Sequence, residues 1–278
     1  MDSGQLALDG MPARLVRTTP ARLATWAGCP RRYRMTYLDR GTSARGRAWA
    51  HHTLGAVVHL ALRALFELPP AQRTPAAAAA QVDRHWSAEG FRDPAQAAVH
   101  RERARGWLAD YATDLDVDAH PVGLERWVSV TTPRMVAEGR VDRIDDRGAE
   151  LVVVDYKTSR TPPTGADARD SRALALYAVA TRYTLRRPCR RVELHHVPTG
   201  EVAAWQHDDA ILGRHLAEAA DAAEQAAAAA ELLDAGGDPD TLFPPRTSPR
   251  CSTCEVRWRC PEGRAAAPEL EPWALLEG

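Results

Sequence analysis

The spacing of apolar residues predicts a largely helical first half of the chain. Leu54, Val58, Leu62 and Leu65 recur every three or four positions, as on one face of an amphipathic helix. We therefore predict a long helix from about Arg47 to Leu68. Further helices are predicted at about 20–28, 31–37, 75–90, 94–117, 167–183 and 208–235.

The middle of the chain has the runs of β-branched and apolar residues that are typical of strands. Three runs, at Leu124–Val130, Met135–Ile144 and Leu151–Lys157, are separated by short turns and predict an antiparallel meander. Arg190–Val197 and Glu201–Gln206 predict a hairpin. Helices before and after these strands indicate an α/β fold with a parallel or mixed central sheet flanked by helices.

The length of 278 residues suffices for one large domain whose core needs no disulfide. We predict this domain at 19–267, with a mainly helical part at 19–120, the sheet core at 121–207, and a helix with a cysteine-rich end at 208–267. Residues 1–18 show little periodicity and predict a flexible N-terminus, and residues 268–278 predict a tail.

The formal net charge of -1 gives no global signal for nucleic acid, so any DNA contact must come from local arginine clusters. Arg31, Arg32 and Arg34 alternate with Tyr33 and Tyr37, a combination that suits phosphate binding and base stacking. A solvated helix face explains the same pattern equally well.

No apolar run reaches the roughly 20 residues needed to span a bilayer. The start of the chain lacks the basic and apolar regions of a secretory signal. We therefore expect a cytoplasmic protein with no membrane partner, in which the five cysteines are thiols or metal ligands.

Three cysteines lie close together near the C-terminus. Cys251, Cys254 and Cys260 form a Cys-x2-Cys-x5-Cys array, and three thiolates at this spacing converge readily on one metal centre. Cys29 is the natural candidate for a fourth ligand. Residue type alone fits either zinc or an iron–sulfur cluster, and Cys189 is interpreted as a structural thiol.

The third predicted strand ends in two charges on the same face, because Asp155 and Lys157 are two positions apart. Buried charges need partners, and Asp142 on the preceding strand can supply a second carboxylate if the two strands pair antiparallel. Two such carboxylates suit a divalent cation.

Lys157 is the only lysine among 36 basic residues. Unless this is an accident of composition, the position requires a compact ammonium that can lose its proton, which arginine cannot provide.

Gly139-Arg-Val-Asp142 followed by Asp155-Tyr-Lys-Thr158 resembles the core motifs of the PD-(D/E)XK nucleases. The resemblance is closest to the RecB-type exonucleases, which share their nuclease domain with AddB and the CRISPR-associated RecB-like nuclease. The upstream Gly55-x3-His59 is similar to the first motif of that family, in which the histidine is a metal ligand, whereas a lone helix histidine is usually structural. The resemblance implies a restriction-endonuclease-like sheet.

The resemblance also implies roles for individual residues. Mg²⁺ or Mn²⁺ would be held by His59, Asp142, Asp155 and the backbone carbonyl of Tyr156, and Lys157 would orient or deprotonate the attacking water. Asp142, Asp155 and Lys157 are thus the expected catalytic residues.

Two further positions are accessory candidates. Glu125 occupies a place where related nucleases often have an acidic residue, although an exposed strand-end glutamate is the ordinary interpretation. Tyr177 matches the tyrosine of the family's Gln-x-x-x-Tyr pattern, but the glutamine position is Ala173 here. This departure puts in doubt a contact of the glutamine with DNA or water, but not the metal chemistry.

The cysteines complete the resemblance. An N-terminal cysteine followed by proline and basic residues, together with the run ending Cys260-Pro-Glu-Gly263, is similar to the iron–sulfur staple of the same nucleases. The resemblance implies a structural 4Fe–4S cluster, with zinc as the less favoured alternative. Its ligands would be Cys29, Cys251, Cys254 and Cys260, and the cluster would clip the helical N-terminal region to the C-terminal tail.

These observations predict a metal-dependent DNA exonuclease that hydrolyses phosphodiester bonds at single-stranded ends. Its expected setting is DNA repair and recombination or CRISPR spacer processing, with a helicase or a CRISPR adaptation protein as partner. The alternative is a non-catalytic DNA-binding subunit of a helicase–nuclease complex. Because the sole lysine is Lys157, no Gly-x4-Gly-Lys phosphate loop exists in the chain, and any ATP-driven unwinding must come from the partner.

Overall fold

The protein is described by a computed structural model that covers residues 15–39, 47–114 and 121–277. Within these residues a six-stranded mixed sheet lies between two layers of helices. This confirms the predicted α/β fold with a mixed central sheet flanked by helices. Most of the predicted flexible N-terminus and the end of the helix predicted at 94–117 lie outside the described residues.

Three of the five helices in the N-terminal half begin where the sequence supplies a capping side chain and a proline in the first turn. Thr19, Thr74 and Asp93 each accept a hydrogen bond from a backbone N–H of the helix that follows them. The helices are α1 (Pro20–Gly28), α2 (Pro30–Tyr37), α3 (Ala50–Glu67), α4 (Pro75–His85) and α5 (Pro94–Thr113).

Strand β3 (Met135–Asp146) organises the sheet. Strand β2 (Gly123–Thr131) pairs antiparallel with one edge of β3 along almost its whole length. The other edge takes β1 (Val16–Thr18), which is parallel at residues 135–137, and β4 (Leu151–Lys157), which is antiparallel at residues 143–146. Along this second edge, residues 138–142 of β3 therefore lie between the stretch that pairs with β1 and the stretch that pairs with β4.

The remaining strands extend the sheet beyond β4. Strand β5 (Cys189–His196) runs parallel to β4, and β6 (Val202–Gln206) returns antiparallel to β5. These pairings confirm the predicted meander and the predicted hairpin.

Alternate residues of β4 face opposite helical layers, as the pleat of a strand requires. Val152, Val154 and Tyr156 pack with α3, α4 and α5, whereas Leu151 and Val153 pack on the other face. The helices of the second half are α6 (Gly165–Asp170), α7 (Arg172–Leu185), α8 (Asp209–Asp234), α9 (Pro239–Leu242) and α10 (Pro261–Ala266).

The single helix predicted at 167–183 is two helices in the structure. Ser171 has an extended backbone, and its side chain accepts a hydrogen bond from the N–H of Leu174, so it caps a new helix. Thr164 and Asp167 form a capping box that begins the short α6. The break places the first turn of α7 beside the end of β4.

Both predicted chain ends contain ordered parts. Within the predicted flexible start, Val16–Thr18 form a strand that pairs with β3. Within the predicted tail, Pro272 accepts a hydrogen bond of 3.1 Å from the N–H of Ala50, and Glu277 pairs with Arg92. In the described residues no helix is long and apolar enough to cross a membrane.

Candidate active site and cysteine cavity

Asp142 and Asp155 meet where strands β3 and β4 separate. The pairing of the two strands ends at Arg143 opposite Val154, and the next positions outward are Asp142 and Asp155. There the Asp142 carboxylate accepts a hydrogen bond of 3.0 Å from the backbone N–H of Tyr156. The side chain thus takes the place of a backbone partner and is fixed against β4.

His59 on α3 faces the same point. Its Nδ1 lies 3.3 Å from Asp142 Oδ2, and its Nε2 lies 3.2 Å from the carbonyl oxygen of Tyr156. The helix approaches β4 closely at Gly55, where an added Cβ would come within 3.3 Å of Thr158 Oγ1. A glycine one turn before the histidine therefore brings the imidazole to the strand.

Glu125 completes a group of three possible metal ligands. One ligand atom from each of His59, Glu125 and Asp142 lies within 4.8 Å of the other two. Glu125 has a left-handed backbone with φ of 46°, its side chain is only 9% exposed, and it pairs with Arg140 at 2.7 Å. A left-handed non-glycine residue costs free energy, and such strain is common at functional sites.

Asp155 and Lys157 lie beside this group and contact each other directly. Burial raises the pKa of Asp155, Lys157 opposes this shift, and the neighbouring Asp142 charge adds to it. The Lys157 side chain is 42% exposed. It borders a cavity of about 500 Å³, so its ammonium is accessible to a substrate.

The electrostatics of the site follow from its crowded carboxylates. Burial lowers the pKa of His59, but the hydrogen bond to Asp142 and the charges of Asp142, Asp155 and Glu125 outweigh it, so the net shift is upward. The pKa of Glu125 is raised by burial and by Asp142, against the effect of Arg140. A bound cation would relieve this repulsion, since like carboxylates that share a site favour protonation of one of them.

Helix α7 covers the site with Tyr177. A Cβ placed on Gly139 would lie 2.6 Å from Cε1 of Tyr177, so the glycine of the Gly-Arg-Val-Asp motif leaves room for this ring. Burial, with the charges of Asp155 and Asp142, raises the pKa of Tyr177 to about 12. The phenol therefore stays protonated and can donate a hydrogen bond. Ala173, one turn earlier on α7, lines the cavity beside Lys157.

The arginines on α2 form ion pairs within the protein. Arg31, 7% exposed, pairs with Asp240 at 2.9 Å and with Glu262 at 2.8 Å. Arg34 is 12% exposed and lies near Asp240. Their burial does not support the predicted DNA contacts of these two arginines. The half-exposed Arg32 pairs with Glu255 at 2.9 Å.

The four predicted cluster ligands line one cavity of about 540 Å³ between α1, α2 and the C-terminal segment. Backbone N–H groups point at three of the sulfurs. Arg246 donates to Cys29 at 3.4 Å, Ser248 to Cys251 at 3.5 Å, and Gly263 to Cys260 at 3.3 Å. Cys254 also borders the cavity, whereas Cys189 is buried in the main core.

Glu125 was predicted only as an accessory residue of the site, and the contact between Gly139 and Tyr177 was not predicted. The sequence indicates the role of Glu125 only weakly, because its side chain is directed toward Asp142 by a left-handed backbone conformation that the residue pattern of a strand does not predict. The signal for Gly139 was present as a glycine within a predicted strand, where it often marks a close approach of another element.

A mixed sheet with two aspartates and a lysine where two of its strands separate suits metal-dependent hydrolysis. A family model described as the PD-(D/E)XK nuclease superfamily matches residues 17–261. The chain therefore belongs to the PD-(D/E)XK nuclease superfamily, whose members use divalent metals and act on DNA.

Two solved structures are similar over most of their length. One, described as "Putative exonuclease" from Eubacterium rectale, has 9% identity and a TM-score of 0.46, with 88% of each chain covered. The other, named SSO0001, has 14% identity and a TM-score of 0.31, and the match covers 87% of this chain and 95% of that one. A comparison with curated protein sequences finds no match. The family assignment rests on the family model.

Proposed function

We propose that this nuclease is a RecB-type exonuclease that hydrolyses single-stranded DNA from its ends with Mg²⁺ or Mn²⁺. The observation that carries the proposal is the position of Asp142. Its carboxylate contacts the imidazole of His59 and the backbone N–H of Tyr156, and it lies within reach of Glu125. The exonuclease type is supported by the order of the sequence motifs from Cys29 to Gly263.

The donor set fits a hard divalent cation. Carboxylates of Asp142 and Asp155, the imidazole of His59 and the carbonyl of Tyr156 would hold it, with Glu125 as an additional carboxylate. When bound, such an ion supplies Lewis-acid activation of water and of the phosphoryl group. Nε2 of His59 lies against the Tyr156 carbonyl, which orients the ring and leaves Nδ1 toward the carboxylates.

Lys157 acts on the nucleophile in this proposal. Asp155 holds the ammonium at the edge of the cavity, where it can orient the attacking water and where its charge offsets the developing charge on the phosphate. As a neutral amine, the same group could instead take the proton of the water. Tyr177 stays protonated and can donate a hydrogen bond to a phosphate oxygen.

We further propose a 4Fe–4S cluster in the cysteine cavity. Four cysteines around one cavity of about 540 Å³ and backbone N–H groups aimed at three of their sulfurs support it. Its role would be structural, because it joins the N-terminal helices to the C-terminal segment. The setting in repair and recombination or in CRISPR spacer processing, with a helicase or CRISPR partner, belongs to the same proposal.

The test uses protein purified without oxygen and labelled linear single-stranded, circular single-stranded and duplex DNA, with Mg²⁺ or Mn²⁺. The proposal predicts that linear single strands are degraded from an end, while circular single strands resist. Cleavage of the circle would assign an endonuclease instead. No cleavage by folded, iron-loaded protein would favour the non-catalytic DNA-binding subunit.

A further inference from the structure

The cavity beside Lys157 has walls that belong to four different segments. Besides Asp155 and Lys157, it is bounded by the loop after β4, the start of α6, the first turn of α7, and β5. Its volume of about 500 Å³ is within the range of pockets that hold a small molecule, about 300–1,000 Å³. The lining residues used below are Ser159, Pro162, Pro163, Ala173 and Leu194.

The wall formed by the loop after β4 is held in place by hydrogen bonds. His196 on β5 contacts the carbonyl of Ser159 at 2.6 Å, and the hydroxyl of Ser159 donates to the carbonyl of Thr161 at 2.8 Å. The N–H of Val197 donates to the carbonyl of Lys157 at 2.9 Å. The cavity is therefore preformed and does not depend on a loop that closes.

Ala173 determines how much of this space is open. The Ser171 cap fixes the start of α7, so position 173 lies in the first turn, four residues before Tyr177 and on the same side of the helix. Tyr177 faces the carboxylates, and Ala173 lines the cavity. A long side chain at position 173 would project into the cavity, whereas alanine leaves it free.

The chemistry of the walls suits a flat group that has apolar faces and polar edges. Pro162, Pro163 and Leu194 provide apolar surface, whereas the side chains of Ser159, Asp167 and Ser171 are already used in hydrogen bonds of the loop and in helix caps. These walls offer contact area without a set of donors that would read one base. A nucleobase would bind there without sequence preference.

We propose that this cavity receives the nucleobase next to the scissile phosphodiester, and that Ala173 sets the size of this subsite. The inference rests on the proposed function, because a phosphodiester held at Asp142, Asp155 and Lys157 has its neighbouring nucleosides beside the residues that border the cavity. A single base fits in a volume of about 500 Å³, so an unpaired nucleotide next to the scissile phosphate can place its base there.

The first test compares Ala173→Phe with wild-type protein on single strands that carry one abasic residue at successive positions near the cleaved end. In wild-type protein, one abasic position should lower kcat/KM about tenfold, as expected for loss of one stacked base. Ala173→Phe should lose about as much on intact DNA and should no longer distinguish the abasic substrate.

Arg172→Phe is the matched control, since Arg172 is exposed on the same turn and does not line the cavity. It should retain wild-type discrimination. Ala173→Gln, which has good helix propensity, provides a second variant if the phenylalanine impairs folding. Wild-type behaviour of both Ala173 variants on both substrates would overturn the subsite.

A binding experiment separates this inference from the hydrolytic function. Strands that carry 2-aminopurine at successive positions are bound in Ca²⁺, and the fluorescence of each is measured. The subsite predicts a position-specific change in wild-type protein that is lost in Ala173→Phe. The same result without cleavage in Mg²⁺ or Mn²⁺ would retain the subsite and reject the nuclease proposal. No binding of DNA, or identical fluorescence in both proteins, would overturn the subsite.

Discussion

The carboxylate–histidine site and the cysteine cavity are built in opposite ways. The first takes Asp142 and Asp155 from adjoining strands and His59 from the helix packed against them. The second takes Cys29 from the start of the described fold and its other cysteines from residues 251–260. One site is assembled by a sheet that forms its own core, whereas the other joins the two ends of the chain.

Because of this difference, we expect the carboxylate–histidine site to serve catalysis and the cysteine cavity to serve the stability of the fold. Oxygen and imidazole ligands at the end of the sheet suit a hard cation and hydrolysis, while four thiolates suit a soft metal centre that is part of the fold. The ion pairs of Arg31 with Asp240 and Glu262 reinforce the same connection between the chain ends. Damage to the first site should abolish cleavage, and damage to the second should first lower stability.

The largest expected effect is that of Lys157→Ala. Loss of a group that positions or deprotonates water should lower kcat by about 10²–10⁴-fold. Folding should be retained, because the lysine is half-exposed and because Asp155, whose pKa is already raised by burial, can take up a proton when its partner is gone. Single-turnover cleavage and thermal unfolding of the same preparation provide the check. Undiminished cleavage would remove Lys157 from the mechanism.

Cys29→Ser should affect the cysteine cavity without removing a residue of the carboxylate–histidine site. The variant should lose iron and unfold more easily, by about 4 kcal/mol if the cluster is present at a thousandfold excess over its dissociation constant. Iron and sulfide analysis with thermal unfolding measures both effects. Cys189→Ala, a core change of about 1 kcal/mol, should retain the iron. Full iron content in Cys29→Ser would exclude Cys29 as a ligand.

Arg143→Met tests whether the sheet bearing the active site has its own source of stability. The buried guanidinium lies 2.8 Å from Asp145, donates to Tyr156 and Tyr111, and lies 4.6 Å over the ring of Phe66. Removing it leaves a buried carboxylate with less compensation, which should cost about 3 kcal/mol while iron content stays normal.

The matched control for that variant is Arg63→Met, because Arg63 forms an exposed i,i+4 pair with Glu67 that contributes little to stability. Chemical denaturation measures the difference. Equal stabilities of the two variants would show that the buried network is not a source of stability.

The smallest effect is a pH dependence of metal binding. The pKa of His59 is raised above 6.5, and only the neutral imidazole binds a cation. Mn²⁺ affinity should therefore fall as the pH drops below that pKa, by up to about tenfold per pH unit. In the metal-free protein, protonation of His59 has the opposite effect on folding, because it adds stability that is fully present below pH 6.5 and is lost as pH rises through the raised pKa. Calorimetry of wild-type protein and His59→Gln checks this; a pH-independent affinity in wild-type protein would contradict it.

The sequence was most informative where local pattern and packing agree. The valine run of β4 and the alternation in β3 predicted the strands that carry the two aspartates, because buried strands need apolar residues on both faces. Gly55 and His59 were identified together as a motif of the resemblance, and in the structure both lie against the end of β4.

The features that the sequence did not predict depend on contacts between distant parts of the chain or on single capping residues. The three residues of β1 have no recognisable pattern, and their pairing with β3 supplies the structure. A cluster of arginines on α2 looked suited to phosphate, but Asp240 and Glu262 arrive from more than 200 positions away to bury Arg31. The break at Ser171 rests on one capping side chain within an otherwise continuous helical pattern.

The most direct test of the account is a Mn²⁺ titration of one iron-loaded preparation, followed by calorimetry and by cleavage of single-stranded DNA. The account predicts that binding and activity saturate together in wild-type protein, and that both are lost in Asp142→Asn although its iron content is unchanged. Unchanged Mn²⁺ binding in Asp142→Asn, or activity that follows iron rather than Mn²⁺, would contradict it.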